Sequence, residues 1–535
     1  MKKLICIVLV VMMFALCFAA CGGNSDTNGS RSEAGTEQTS RTNDTSSGNV
    51  GGESADESVP GGIESAAEPA SEETSQDESK KWLDADGNYA VPGDPIDVVA
   101  TFGSQFSEFH VLVKGTDNGT YQSDDFTTGS ELYGDTLDQA VTERNNYIHD
   151  HFGVTIVAHK DNGINNLIRE DLASGDQYDV VMPNITFLAT LASEGQLIDL
   201  YTLENINIDA PWFDQNANET FSMNHQLFFT TGDITILNKV CTTSILFGKE
   251  ILSKYEDLES PYQLVRDNQW TYDKMKEMAK LVTADTDGEP GMTVDDTWGF
   301  LTSYGDAVNL YAGAGMHLCD KDSNDYPYFS LGQEERAQTI LQQILKDMAE
   351  PGWCVYAQEF PSDIWVTSLD AIEDGRILFR PSAFSAMTKL RKRGVDFGIV
   401  PLPKWNEDQD NYYGFCGVGQ TAGFGILVSC RNPEYSAYMV DIISAASKNY
   451  VTRAYMEVNV KGKDLQSEED LEMLEIIFDN IVYDIGDVNN FGSINSLIAG
   501  LVQQKSTDLS SMIDQNRDKI ESAIDDVIAA YEAME

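Results

Sequence analysis

Extended and helical hydrophobic periods alternate from residue 96 to residue 200, and this alternation constrains the fold more than any other feature. Ile96 to Phe102, IDVVATF, reads as an opening strand. Thr136 to His151 carries apolar residues at helical spacing and stops at Phe152-Gly153, where glycine suits a left-handed helix cap. GVTIVAH at 153–159 reads as a second strand, and INNLIREDLASG at 164–175 as a helix. YDVVMPN at 178–184 predicts a short buried strand with a loop after it. ITFLATLASEGQLIDL at 185–200 predicts another helix, ended by a glycine turn. A βαβα rhythm of this kind predicts an α/β fold with a mainly parallel sheet and helices on both faces. Ligands of such sheets sit at loops beyond the carboxyl ends of strands. No repeat of fixed period is visible.

Upstream of this region the chain is of another kind. Lys2 and Lys3 precede an almost unbroken apolar run over residues 4–20, the layout of a secretory signal, residues 1–20. The run is slightly short of the about 20 residues of a membrane span. It ends in FAAC, which resembles the lipobox of bacterial lipoproteins, with Phe18 where leucine is usual. The resemblance implies cleavage before Cys21 and a lipid on that cysteine, holding the protein at the extracellular face of a bacterial, Gram-positive type membrane. Residues 22–81 contain almost no large apolar side chain, and 13 acids against 4 bases give them a charge of −9. Such a segment cannot bury enough apolar surface to offset its ordering entropy, so residues 21–90 are expected to form an acidic tether.

The remaining stretch, about residues 90–535, is long for one core and predicts two lobes. Net charge over the whole chain is −52; with +2 for the leader and −9 for the tether set aside, −45 falls on the globular part. A field of that sign repels phosphate backbones, which argues against nucleic acid, and disfavours a polyanionic ligand. Neutral or cationic solutes remain. Cys6 and Cys17 lie in the leader, which leaves Cys241, Cys319, Cys354, Cys416 and Cys430 for the globular part. Their odd number and irregular spacing form neither a disulfide framework nor a zinc ribbon. Most read as buried apolar residues, although one pair could bridge in an oxidising exterior.

Enzymatic motifs are scarce: there is no H-E-x-x-H, no G-x-S-x-G and no P-loop. His149 and His151 are two apart near a helix end and read as dipole-favoured terminal residues. Carboxylates are so abundant that no glycosidase-like pair can be singled out. Asp285, Asp287, Glu289 and Asp296 fall at positions 1, 3, 5 and 12 of a calcium loop, but Pro290 occupies the position that needs glycine. That stretch reads as an acidic surface turn, and DKDSND at 320–325 as a hairpin turn. No cofactor and no metal are expected.

Six segments in order carry a family resemblance. YDVVMPN followed by LASEGQLIDL resembles the start of family 1 extracellular solute-binding proteins, the receptor components of ABC importers. SILFGKEILSKY at 244–255 is similar to the hinge strand and following helix, and DNQWTYDKMKEMAKLVT at 267–283 to the helix opening on Trp-Thr. AIEDGRILFRPSAF at 371–384 and FGIVPLPKWNEDQDNYY at 397–413 resemble later segments of the same family. The resemblance implies a type II periplasmic-binding-protein clamshell with crossing hinge strands: a first lobe over 91–240, a second over 241–370, a return to the first over 371–405, and the rest of the second over 406–535. It also implies a monomer that binds a carbohydrate between the lobes and delivers it to a membrane permease, with no enzymatic activity. A secreted carbohydrate-active enzyme and a clamshell sensor or adhesion lipoprotein are the alternatives.

A sugar needs aromatic faces and fixed polar groups. On the loops that the implied fold sends to the cleft, the candidates are Ser104, Gln105, Asn184, Thr186, Trp212 and Asp233 from the first lobe. Arg380, Ser382 and Phe384 follow from RPSAF, and Trp298, Tyr304, Tyr412 and Tyr413 from the second lobe. Trp270 is expected in the core.

Overall fold

In the computed structural model, which describes residues 81–93, 98–116, 119–361, 364–460 and 468–534, the helix Gly134–Phe152 ends at Gly153, whose φ of 68° is left-handed as the sequence predicts. Its buried residues, Leu137, Ala140, Val141, Arg144, Ile148 and Phe152, recur every three or four positions and so share one face. The leader, Cys21 and residues 22–80 lie outside the described residues. All described residues belong to one unit, residues 70–535.

Two main sheets organise this unit. Strands β1 (Glu108–Lys114), β2 (Thr155–Asp161) and β3 (Val180–Met182) form a parallel sheet in the order β2-β1-β3. The second sheet has seven strands: β4 (Thr242–Gly248), β5 (Trp298–Thr302), β8 (Cys354–Tyr356), β9 (Ile377–Ala383), β10 (Phe397–Val400), β11 (Gly414–Cys416) and β12 (Ile481–Val482). Its order is β12-β11-β4-β9-β5-β8, with β10 also paired to β4. Strands β5, β8 and β9 run parallel, whereas β4 is antiparallel to β9, β10 and β11. A separate hairpin, β6 (Asp320–Lys321) with β7 (Pro327–Tyr328), closes over the 320–325 turn. Helices cover the larger sheet, where β4, β5 and β10 are buried along their whole length, whereas β2, at the edge of the smaller sheet, has no fully buried residue.

Three expectations are corrected. In the described part of the expected opening strand Ile96–Phe102, Val98–Phe102 is helical, and the first strand among the described residues is Glu108–Lys114. β-branched composition favours strand only where a partner strand is available to pair, and here β2 and β3 both pair with the later segment. Second, β9 and β10 do not return to the first sheet over 371–405; they pair with β4 in the second. The chain comes back further on, at 421–427, where Ala422, Gly425 and Leu427 bridge Asn184, Val181 and Leu197. The helix Pro433–Ser447 then packs on Gly134–Phe152.

The third correction concerns residues 82–90, expected as tether. Leu83 bridges Tyr89, the Tyr89 N–H donates to Asn449 Oδ1 at 2.9 Å, and Asn449 Nδ2 donates back to the Tyr89 carbonyl at 2.8 Å. The Trp82 ring meets Trp212 edge-on at 5.4 Å. Two aromatic side chains among small polar ones are enough to pin this short segment. A chain beginning at Lys81 is therefore expected to melt within a few degrees of the chain beginning at residue 22, whereas one beginning at Pro92 should melt several degrees lower. An aromatic pair is worth about 0.5–1.5 kcal/mol, and each of the two hydrogen bonds about 1 kcal/mol. Differential scanning calorimetry of the three chains decides it, and equal melting of the two shorter ones would contradict it.

Candidate functional site

The carboxyl ends of β5 and β9 and the amino end of β4 meet at one edge of the larger sheet, because Thr243 pairs with Ala383 and β5 runs parallel to β9. There they border a cleft of about 230 Å³, lined by Tyr121, Thr243, Thr302, Ser303, Asp306, Arg380, Ser382, Trp365 and Ser385 with Ala357, Pro381, Ala383 and Ala386. Arg380 and Ser382 are two apart on β9 and point to the same face. Trp365 stands in the first turn of the helix Ile364–Glu373 and is 58% exposed. Tyr121 reaches in from the segment that follows β1, its hydroxyl 3.1 Å from Ser385 Oγ. So the cleft lies between a loop of the smaller sheet and the strand ends of the larger.

Arg380 is 6% exposed, and its Nη1 has no hydrogen-bond partner; neither has Ser382 Oγ. Burial lowers the guanidinium to about 10, against the field of Asp306, so it stays charged at neutral pH. Asp306 opens the helix Asp306–Gly313 and accepts from the Ser303 N–H at 2.6 Å, Thr302 Oγ1 at 3.1 Å and Asn309 Nδ2 at 2.8 Å. Burial raises its carboxyl while these bonds hold it down. The cleft thus offers one cation with an open donor, one braced carboxylate, several hydroxyls and an indole face. Buried polar atoms are nearly always paired, so Arg380 Nη1 and Ser382 Oγ, at a cleft rather than in the closed core, are open to a partner that enters it.

Of the residues expected at the site, Arg380 and Ser382 line this cleft together. Tyr304 follows Ser303 and packs half-buried on Tyr356, with ring centroids 5.2 Å apart. The others lie elsewhere. Ser104 and Gln105 are exposed in a turn at the amino end of β1, opposite the end that faces ligands, because the preceding segment is helical. Asn184 and Thr186 line a different groove of about 510 Å³, where Asn184 Nδ2 donates to the Gly419 carbonyl at 2.7 Å. Tyr413 lines a third, of about 680 Å³, with Asn216, His317, Asp322 and Asp479.

Four side chains are core rather than cleft. Trp212, 1% exposed, donates from Nε1 to Asp441 Oδ1 at 2.5 Å. Phe384 is fully buried against Phe478, 4.8 Å between ring centroids. Trp298 begins β5, at the opposite end from Thr302, and donates to the Thr293 carbonyl at 2.7 Å. Tyr412 is buried, accepts from the Trp270 N–H at 3.3 Å and lies under Lys404 Nζ. Asp233 is buried as well, held by Lys239 and Lys448 at 2.9 and 2.8 Å. Trp270 is buried as expected, donating to the Pro401 carbonyl at 2.9 Å.

Sequence reasoning missed Tyr121, Thr302, Ser303, Asp306, Trp365 and Ser385. Thr302-Ser303 carries a signal, a polar doublet directly after the apolar run of β5. Trp365 carries none, since a tryptophan at helical spacing reads as core.

Two other clusters belong to the fold. Asp285, Asp287 and Asp296 place carboxylate oxygens within 4.8 Å of one another. Asp296 accepts from the N–H groups of Thr286, Asp287 and Thr293, and Asp287 Oδ2 accepts from Thr293 Oγ1 at 2.6 Å, so both carboxylates brace their own loop. The five cysteines of the globular part are all buried free thiols, raised by burial, to about 11 at Cys241 and about 12 at Cys354.

Two sheets covered by helices, with a polar and aromatic cleft where strand ends of one meet a loop of the other, are the architecture of this chain. The chain belongs to the bacterial extracellular solute-binding protein family, whose model matches residues 137–457. Among solved structures it is similar to the ABC substrate-binding protein Lmo0181 from Listeria monocytogenes in complex with cycloalternan. The two are 13% identical with a TM-score of 0.50, over 78% of this chain and 99% of that one. That likeness shows the fold, the type II clamshell. A cyclo/maltodextrin-binding protein complexed with maltotetraose is also similar, 13% identical over 80% of this chain and 97% of its own, with a TM-score of 0.49. So is the Thermus thermophilus maltotriose-binding protein, 13% identical over 79% and 99%, with a TM-score of 0.45. No curated protein matches the sequence. Among the described residues no helix is long and apolar enough to cross a membrane.

Proposed function

We propose that the protein is the solute-binding lipoprotein of an ABC importer and takes a carbohydrate into the cleft of Arg380, Ser382 and Trp365. The observation that carries this reading is the pairing of an exposed indole with buried, unpartnered Arg380 Nη1 and Ser382 Oγ at the carboxyl end of β9. A sugar ring presents C–H surface to an aromatic face and hydroxyls to fixed polar groups. The Listeria protein of the same fold was solved in complex with cycloalternan, which supports the class of ligand. At 230 Å³ the cleft is smaller than the about 300–1,000 Å³ usual for ligand pockets, so it receives one end of an oligosaccharide.

Binding closes the cleft around the solute, and the closed form docks on the permease. The Tyr121–Ser385 contact is the point at which a loop of the smaller sheet already meets the larger. No covalent chemistry is required. Cys21 is the lipid anchor at the outer face of the membrane, on the strength of the FAAC segment. Cys21→Ser is expected to abolish lipid labelling in a bacterium with the lipoprotein pathway; labelling equal to wild type would contradict the anchor.

A thermal-shift screen of the folded chain against mono- and oligosaccharides tests the reading, since a ligand of the folded state raises the melting temperature. Trp365→Ala should then weaken the binding of any hit. Loss of 60–100 Å² of buried apolar contact at about 25 cal/mol per Å² costs roughly 1.5–2.5 kcal/mol, about ten- to seventy-fold in Kd. The apo melting temperature should barely change, because the ring is largely exposed. Titration calorimetry measures the first and a melting curve the second; unchanged affinity would place the solute elsewhere.

A further inference from the structure

We infer that the solute carries one carboxylate, a uronic acid at the end that enters the cleft, received by Arg380 and Ser382. This inference rests on the saccharide reading above and narrows it. Among the described residues that line the cleft, Arg380 is the only lysine or arginine. Its guanidinium is buried, and Nη1 is left without an acceptor. Among the described residues of the lining the only carboxylate is Asp306, and it already accepts three hydrogen bonds at 2.6–3.1 Å from Ser303, Thr302 and Asn309. Asp306 therefore serves its own helix and loop, and Arg380 keeps donors for something else.

Asp306 acts on the guanidinium only through its field and takes none of its hydrogen bonds, and a neutral hydroxyl would satisfy one donor. A carboxylate accepts with charge as well, and its two oxygens match the fork of a guanidinium. Ser382 Oγ, equally without a partner, lies two residues along the same strand face, placed to donate to the second oxygen or to the adjacent ring hydroxyl. Trp365 supplies the apolar surface for the sugar ring.

The charge of the chain sets an upper limit on ligand charge. With −45 on the globular part, a polyuronate meets long-range repulsion, whereas a single carboxylate pays little at physiological salt, where the Debye length is about 8 Å. The net charge by itself points to neutral or cationic solutes; a buried guanidinium with an open donor provides a local exception.

Isothermal titration of the folded chain with D-glucuronate, D-galacturonate and disaccharides ending in either tests the inference, against the matching uronamides and the neutral hexoses. The amides keep ring, hydroxyls and shape but lack the charge. An acid is expected to bind roughly thirty-fold tighter than its amide or more, as for a buried hydrogen-bonded charge pair. Arg380→Gln should erase that preference, and Arg380→Lys should keep it at reduced affinity, the charge being present without the fork. Should Arg380→Gln fail to fold, the wild-type comparison of acid with amide and the lysine variant still decide. Equal binding of acid, amide and neutral sugar overturns the carboxylate and leaves the saccharide receptor standing. If no saccharide binds, acidic or neutral, the reading on which the inference rests falls with it.

Discussion

Asp233→Ala is expected to destabilise the protein by about 3–5 kcal/mol, the cost of removing one partner from a buried ionic group. Asp233 accepts from Lys239 Nζ, Lys448 Nζ and Thr452 Oγ1 at 2.9, 2.8 and 2.8 Å, and it is 5% exposed. Alanine would leave two ammonium groups without the carboxylate they bond to, with only the fields of Asp479 and Asp214 to offset them. Burial pushes the carboxyl up, but Lys239 and then Lys448 outweigh it and hold it below the ordinary carboxylate range. A carboxyl whose pKa is lower folded than unfolded adds stability that is present above about pH 3.9 and fades as pH falls through the folded value. The gap between wild type and Asp233→Ala should therefore be full at pH 7 and shrink in acid. Urea unfolding at both pH values measures it; a gap under 1 kcal/mol at pH 7 would mean that the lysines find other partners.

Trp212→Ala should also cost about 3–5 kcal/mol, as large aromatic truncations in cores do. The indole is enclosed, packs edge-on against Trp82 and donates to Asp441 Oδ1. Burial raises the Asp441 carboxyl to about 7, and the bonds from Trp212 and Asn207 oppose that rise. Removing the indole leaves both a cavity and a less well satisfied acid. Trp212→Phe, which refills most of the space but not the hydrogen bond, should lose distinctly less. For both variants, affinity for a saccharide found in the thermal-shift screen should stay within about two-fold of wild type, since Trp212 is outside the cleft. Weakened binding with an unchanged melting curve would return Trp212 to the site.

These two residues show where reading a sequence stops. Trp212 and Asp233 both have the chemistry of a sugar site, an indole and a carboxylate on the first lobe, and nothing local separates that use from a structural one. What separates them is partners far along the chain: Asp441 for Trp212, and Lys448 and Thr452 for Asp233. Phe384 follows the same rule, since Phe478 covers it. Conversely, Arg380 and Ser382 lie at the end of a strand that the sequence marks clearly, and strand ends are where an open α/β sheet presents its ligand groups. Trp365 joins them only because the helix Ile364–Glu373 starts beside that edge.

By itself the sequence determined the local elements and the class. Helix Gly134–Phe152 with its glycine cap, strand β3 and the helix after it follow from period and capping, which are short-range physics. The acidic, apolar-poor stretch at 22–81 and the apolar run at 4–20 are read from composition. Tertiary structure decided whatever depends on pairing across the chain. Val98–Phe102 became helix because β2 and β3 pair with Glu108–Lys114 instead. Residues 421–427, and not 371–405, return to the first sheet because Val181, Asn184 and Leu197 are free to bridge them. The cleft itself is drawn from β4, β5, β9, the starts of three helices and the Tyr121 loop. Burial and unsatisfied donors are properties of that assembly, and no window of sequence contains them.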